Sequence, residues 1–154
     1  MLIAASATPA EAAVRHVWVA AVPASWNIVP NGRDGITGAT FEPAQTVFPT
    51  VVYRRYTKRW RRPLRNAPVA NVDHNLIPGP LIHARVGDRL RIHFKNMDRT
   101  LRNPHSMHFH GVSYKPSSDG AYVPGFSGKD GNVRPGQSYT YRLTAGPDSA
   151  GVWP

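Results

Sequence analysis

Arg89-Leu90-Arg91-Ile92-His93-Phe94-Lys95-Asn96 decides the fold. Leu90, Ile92 and Phe94 alternate with Arg89, Arg91, His93 and Lys95. Successive side chains of a strand point to opposite faces, so the octet predicts a half-buried strand with one apolar face and one cationic face. Upstream lie the turn Gly87-Asp88, the segment Leu81 to Val86 and the stiff turn Pro78-Gly79-Pro80. Downstream, Ser106 to Tyr114 predicts another strand, and Ser117 to Asn132, rich in Gly and Ser, predicts a long loop. Arg134-Pro135-Gly136-Gln137 is a turn, followed by a strand from Ser138 to Ala145 with Tyr139, Tyr141 and Leu143 on one face.

Further toward the N-terminus the same reading holds. Val14 to Ala21 is β-prone, with Val17, Val19 and Ala21 on one face and His16 and Trp18 on the other. Pro23 and the stretch Pro30 to Gly35 signal turns or loops. Val47 to Thr57 reads as one or two strands interrupted by Pro49, and Arg61 to Asn75 as a long loop. No segment keeps a helical period over ten residues. The expected fold class is all-β, an antiparallel sandwich or Greek-key barrel, in one domain covering residues 14–154.

The 154 residues suffice for one buried core. The chain carries 15 prolines, which suits many turns and poorly suits a helical bundle. With no cysteine, disulfides, zinc fingers, thiol nucleophiles and thiolate-bound metals are excluded, so the seven histidines become the main metal-ligand candidates. The net charge of +10 favours polyanionic partners. Seven of the cations crowd between Arg54 and Arg65 with Tyr53, Tyr56 and Trp60 among them. That run fits either a solvated charged edge or a basic module for nucleic acid or another polyanion, but no nucleic-acid motif accompanies it, so no specific nucleic-acid partner is expected. No run approaches the roughly 20 apolar residues of a membrane span. Residues 1–13 resemble the back half of a secretory signal ending in small residues; a disordered tail is the other reading.

The chemistry concentrates in Pro104-His105-Ser106-Met107-His108-Phe109-His110-Gly111. On a strand, residues two apart share a face at about 6.5–7 Å, so His108 and His110 project side by side while Phe109 faces the core. Neutral imidazoles at that spacing suit copper, zinc or iron. Two ordinary exposed histidines on a polar face would look the same. His105, three residues from His108, falls outside the pair.

Taken with its flanks, this stretch resembles the first cupredoxin domain of the multicopper oxidases, the ceruloplasmin-like branch more than the laccases or ascorbate oxidase. Val17-Trp18-Val19-Ala20-Ala21 with Trp26-Asn27, Tyr53 to Thr57, Pro78 to Asp88, His108-Phe109-His110-Gly111 and Pro135 to Tyr141 are each similar to elements of that domain, in order. The resemblance implies a cupredoxin-like Greek-key β-sandwich or barrel. It implies a trinuclear copper cluster, fed by one-electron substrate oxidation, that reduces dioxygen to water. His108 would bind the type 2 copper and His110 a type 3 copper, and Asp119 would be the acid that supports the cluster and proton delivery. Later cupredoxin domains, of the same parent chain or of an oligomer, would be the partners, and the location would be secreted, periplasmic or in the cell envelope.

Two departures from the family pattern bear on these expectations. The family's second histidine pair follows a segment like Ala150 to Pro154, where this sequence stops. The fold is therefore expected to be incomplete at its C-terminal end, with a sheet edge uncovered and marginal stability. The cysteine of an electron-accepting type 1 copper is also absent. One pair of ligands cannot assemble a cluster that needs four, so the chain alone is expected to be inactive. A non-catalytic copper-binding domain is the alternative.

Overall fold

The structure, a computed structural model, describes residues 12–64, 77 and 79–151. The leader-like residues 1–11, most of the loop following Leu64 and the terminal residues 152–154 lie outside them. Five strands form one mixed sheet: β1 (Val14–Asn27), β2 (Val47–Tyr56), β3 (Arg89–Asn96), β4 (Ser113–Tyr114) and β5 (Ser138–Thr144). Their order is β2-β1-β3-β5-β4. All pairings are antiparallel except β1 with β3, which run parallel from Val14↔Arg89 to Ala21↔Asn96. The parallel pair requires the chain to cross back between β2 and β3.

The octet that opened the argument is the centre of the sheet. Leu90, Ile92 and Phe94 of β3 are buried, alongside Val17, Val19 and Ala21 of β1 and Tyr141 and Leu143 of β5. Each large apolar side chain buried there contributes about 1.5–3 kcal/mol. The concave, inner side of the sheet is covered by the chain from His105 to Val133, through Met107, Phe109, Val112 and Val133. Among the described residues helix is confined to one turn, Pro43–Thr46, and three short 3-10 segments. Among the described residues no helix is long and apolar enough to cross a membrane.

Ala13 already belongs to the sheet. Its N–H donates to Asp88 Oδ1 at 2.9 Å and its carbonyl accepts from Arg89 N–H at 2.8 Å. The Asp88 carboxylate is also held by the Arg15 guanidinium and by Arg85 N–H. With Arg15 first among them, these donors hold the carboxyl at about 2.

Two sequence expectations change. Pro49 does not interrupt β2, which runs unbroken with Pro49 opposite Ser25. The reason is position: β2 is an edge strand, where a missing N–H costs no ladder bond. Pro23 is tolerated similarly, because β1 pairs with β3 only as far as Ala21. The second change concerns Ser106 to Tyr114. Only Ser113–Tyr114 is strand, and residues 106–109 are irregular.

Candidate metal centre

Because the segment carrying His108 and His110 has no strand ladder, something else must hold it. Three tyrosine hydroxyls do so. Tyr53 Oη donates to the Ser106 carbonyl at 2.5 Å, and Tyr114 Oη donates to the Phe109 carbonyl at 2.9 Å. Tyr141 Oη accepts from Met107 N–H at 3.1 Å and donates to the Asp130 carbonyl at 2.5 Å. Burial pushes Tyr53 up to about 12 and Tyr141 well above the ordinary tyrosine range, so both stay protonated donors. The Phe109 ring packs 5.3 Å from that of Tyr141, which fixes the segment's inner face in the core.

The loop leading into the segment is fixed by buried polar side chains. Asn96 Nδ2 donates to the carbonyls of Asn103 and Val133, both at 2.8 Å. Asp98, also buried, accepts from the N–H groups of Thr100, Leu101 and Asn103. His105 Nε2 lies 3.1 Å from Asp98 Oδ2. Desolvation pushes the Asp98 carboxyl up, but His105 and the loop N–H groups outweigh it and hold it at about 2. His105 is thus a structural partner of Asp98, in keeping with its exclusion from the pair.

The two sequence-predicted ligands are brought together. The His108 and His110 rings have centroids 4.8 Å apart and planes at 85°, and both residues are exposed. They are neighbours but not parallel, because the segment bends at His110 instead of continuing as a flat strand. His108 Nδ1 lies 2.9 Å from the Asp119 carbonyl oxygen and 2.6 Å from Asp119 Oδ1. One N–H cannot point at both; the carbonyl takes the hydrogen bond and the carboxylate, whose Oδ1 has no hydrogen bond among the described residues, lies alongside as a charge. This assigns the proton of neutral His108 to Nδ1 and leaves Nε2 as its donor to a metal. His110 makes no hydrogen bond among the described residues, so either nitrogen is available.

Gly120 is the site residue that sequence reasoning missed. It has φ +76°, and a Cβ there would sit 1.8 Å from the Met107 carbonyl oxygen. Only glycine lets the 119–120 backbone lie flush on residues 107–108, and that contact delivers Asp119 to His108. Gly120 N–H is anchored in turn by Asp130 Oδ2 at 3.2 Å. The sequence marks Ser117 to Asn132 as a loop, but the contact of Gly120 with Met107, thirteen residues upstream, leaves no local signal.

The donor set fits copper as part of a site. Imidazole nitrogen is a suitable ligand, one ring is already oriented through its other nitrogen, and both face solvent. Among the described residues no three His, Asp or Glu side chains converge on one metal position.

The chain has relatives among known proteins. Residues 55–153 match the family described as multicopper oxidase. The chain is 32% identical over 159 residues to the human ferroxidase HEPHL1, an alignment spanning 91% of this chain and 12% of that protein. It is 33% identical over 142 residues to coagulation factor V of Sus scrofa, spanning 90% of this chain and 6% of that one. Among solved structures, one described as a multicopper oxidase has a TM-score of 0.52 and 28% identity, covering 87% of this chain and 32% of its own. A multi-copper oxidase from Pseudomonas thermotolerans, at 23% identity and a TM-score of 0.52, supports the fold alone. The chain thus spans only a small part of its curated relatives, and the curled sheet is cupredoxin-like. The chain belongs to the multicopper oxidase family.

Proposed function

We propose that this chain supplies the first His-x-His pair of a trinuclear copper cluster, His108 toward the type 2 copper and His110 toward a type 3 copper. The observation that carries the reading is the pair itself: two exposed imidazoles 4.8 Å apart, one of them oriented by Asp119. The remaining ligands come from other cupredoxin domains, of the parent chain or of an oligomer. Copper bound there would accept electrons one at a time and reduce dioxygen to water.

The chain's own residues have definable tasks in this scheme. Asp119 keeps the His108 Nδ1 proton in place, so Nε2 presents its lone pair outward. Its carboxylate adds negative charge beside a cationic centre and is the nearest proton-accepting group to the pair. The tyrosine tethers keep both rings in register without drawing on a sheet ladder. A location outside the cytoplasm, secreted, periplasmic or in the envelope, goes with the leader-like residues at the N-terminus.

A copper titration followed by calorimetry tests the site. Wild type should bind copper through His108 and His110, and His108→Ala combined with His110→Ala should abolish that binding while leaving the far-ultraviolet circular dichroism unchanged. Asp119→Ala keeps the orienting carbonyl and removes only the half-exposed carboxylate, so it should weaken binding by about 2–5-fold. Undiminished copper binding by the double variant would sink the assignment.

A further inference from the structure

The outer face of the sheet bears an ordered array of cations that the copper reading leaves unused. Cross-strand pairing sets His16 beside Arg91 and Arg91 beside Arg142 in one row. Four residues further along the strands, the pairing sets Arg54 beside Ala20 and Ala20 beside Lys95. Between these rows lie Trp18 and His93. The array contains no acid.

The accumulation is not neutralised elsewhere. Among the described residues, acids form ion pairs only with Arg15, His105 and His108. Arg91 and Arg142 stand directly opposite each other, an arrangement that destabilises a sheet. Arg54 Nε is shielded from solvent with no acceptor among the described residues. These features describe a surface that lacks counter-charges.

A turn extends the array. Trp60 folds back on the sheet, its indole N–H donating to the Val19 carbonyl at 2.8 Å, with Lys95 Nζ 5.7 Å from its ring centre. The fold-back holds Arg59 and Trp60 at φ 59° and 54°, a conformation that side chains other than glycine rarely adopt. The result is a hollow lined by Lys58, Arg59, Arg61 and Arg62.

The aromatic rings argue against base stacking. His16 Nδ1 and His93 Nε2 are 2.9 Å apart, with ring planes within 8° and centroids 5.2 Å apart. Those values describe two rings edge to edge in one plane, sharing a proton. Trp18 is stacked on His93 at 4.7 Å, and Trp60 is used as an anchor. The rings are occupied by one another, and what is left for a ligand is guanidinium and ammonium groups. Membrane docking would need apolar side chains among the cations, whereas the most exposed ones, Ile36 and Phe126, belong to loops outside these strands.

We propose that this face binds an anionic polysaccharide, with its sulfate or carboxylate groups seated on Arg91, Arg142, Lys95 and the Lys58–Arg62 turn. Charge complementarity selects the anion, and a flat array spread over three strands selects an extended chain over a single small ion. The ligand contacts guanidinium groups in the bidentate geometry that carboxylate and sulfate accept.

The test uses the full chain and a sulfated octasaccharide at physiological salt, with binding read by calorimetry. Arg91→Ser combined with Arg142→Ser should weaken binding by at least about tenfold, since each lost charge-assisted contact is worth more than that factor requires. Arg33→Ser combined with Lys129→Ser removes the same net charge away from the array and should change it less than about twofold. Without ligand, Arg142→Ser should raise the thermal midpoint by about 2 °C by relieving the opposed charges. Equal weakening by both pairs, a fall in that midpoint, or tighter binding of an oligothymidine or of phosphatidylserine vesicles than of the glycan would overturn the proposal.

Discussion

The sheet and the layer that covers it are held by different means. In β1, β3 and β5, position is dictated by ladder hydrogen bonds and by alternating apolar side chains that meet at Val19, Ile92, Phe94 and Tyr141. In residues 105–120, apart from the His105–Val133 bridge and the two residues of β4, position is set largely by side-chain tethers from Tyr53, Tyr114, Tyr141, Asp98 and Asp130, and by one glycine contact. A ladder is redundant and survives local damage. A tether is not, so the layer that carries His108 and His110 should fail one bond at a time while the sheet persists.

Substitutions in the two regions should separate accordingly. Phe94→Ala empties the centre of the sheet and should lower global stability by about 3–5 kcal/mol, read from the denaturant midpoint. Copper affinity measured below that midpoint should change little. Gly120→Ala should cost about 3 kcal/mol, from overpacking against Met107 and from forced positive φ. Here the copper affinity should collapse as well, since Asp119 is carried away from His108. If Gly120→Ala left copper binding intact, the distinction between the two layers would fail.

Tyr141→Phe sharpens the comparison by keeping the ring and removing the tether. It leaves Met107 N–H and the Asp130 carbonyl without their partner and should cost about 1–3 kcal/mol. Amide exchange should accelerate at Met107 and the residues around it more than in β3. Uniform acceleration across both regions would show that they unfold as one unit.

The smallest expected effect concerns the outer face. Burial, followed by repulsion from His16 and Arg142, lowers the His93 pKa below its ordinary 6.5. The folded protein then resists a proton that the unfolded chain accepts. Stability is complete above about 6.5 and is lost as pH falls from there through the lower folded value. Thermal midpoints measured across that window should decline on acidification, and His93→Gln should flatten the decline. Asp88 and Asp98, each held at about 2, act in the same sense over a lower range: their contribution holds above 3.8 and disappears as pH falls toward 2.

What could be read in the sequence follows the same division. Leu90, Ile92 and Phe94 announced their strand because period-two alternation is a local signal. Tyr139, Tyr141 and Leu143 did so for the same reason. The nearness of His108 and His110 was legible from their spacing and from the family resemblance, and Asp119 from the resemblance alone. The strand assigned to Ser106 to Tyr114 was not borne out beyond its last two residues, because the segment's hydrogen-bond partners are side chains 5 to 53 residues away. Long-range tethers leave no periodic trace. Pro49 misled for a related reason: whether a proline breaks a strand depends on whether that strand lies at an edge, and sheet order is a tertiary fact.

That edge has a consequence for how copies of the molecule meet. Beyond Ala21 the β1–β2 ribbon runs on without β3, and among the described residues no third strand pairs with it there. Pro23 stands on one member of the ribbon and Pro49 on the other, and neither has an amide hydrogen to offer. The stretch of this sheet best shaped to recruit a foreign strand is therefore the one least able to zip onto it, which keeps concentrated protein from polymerising through its backbone.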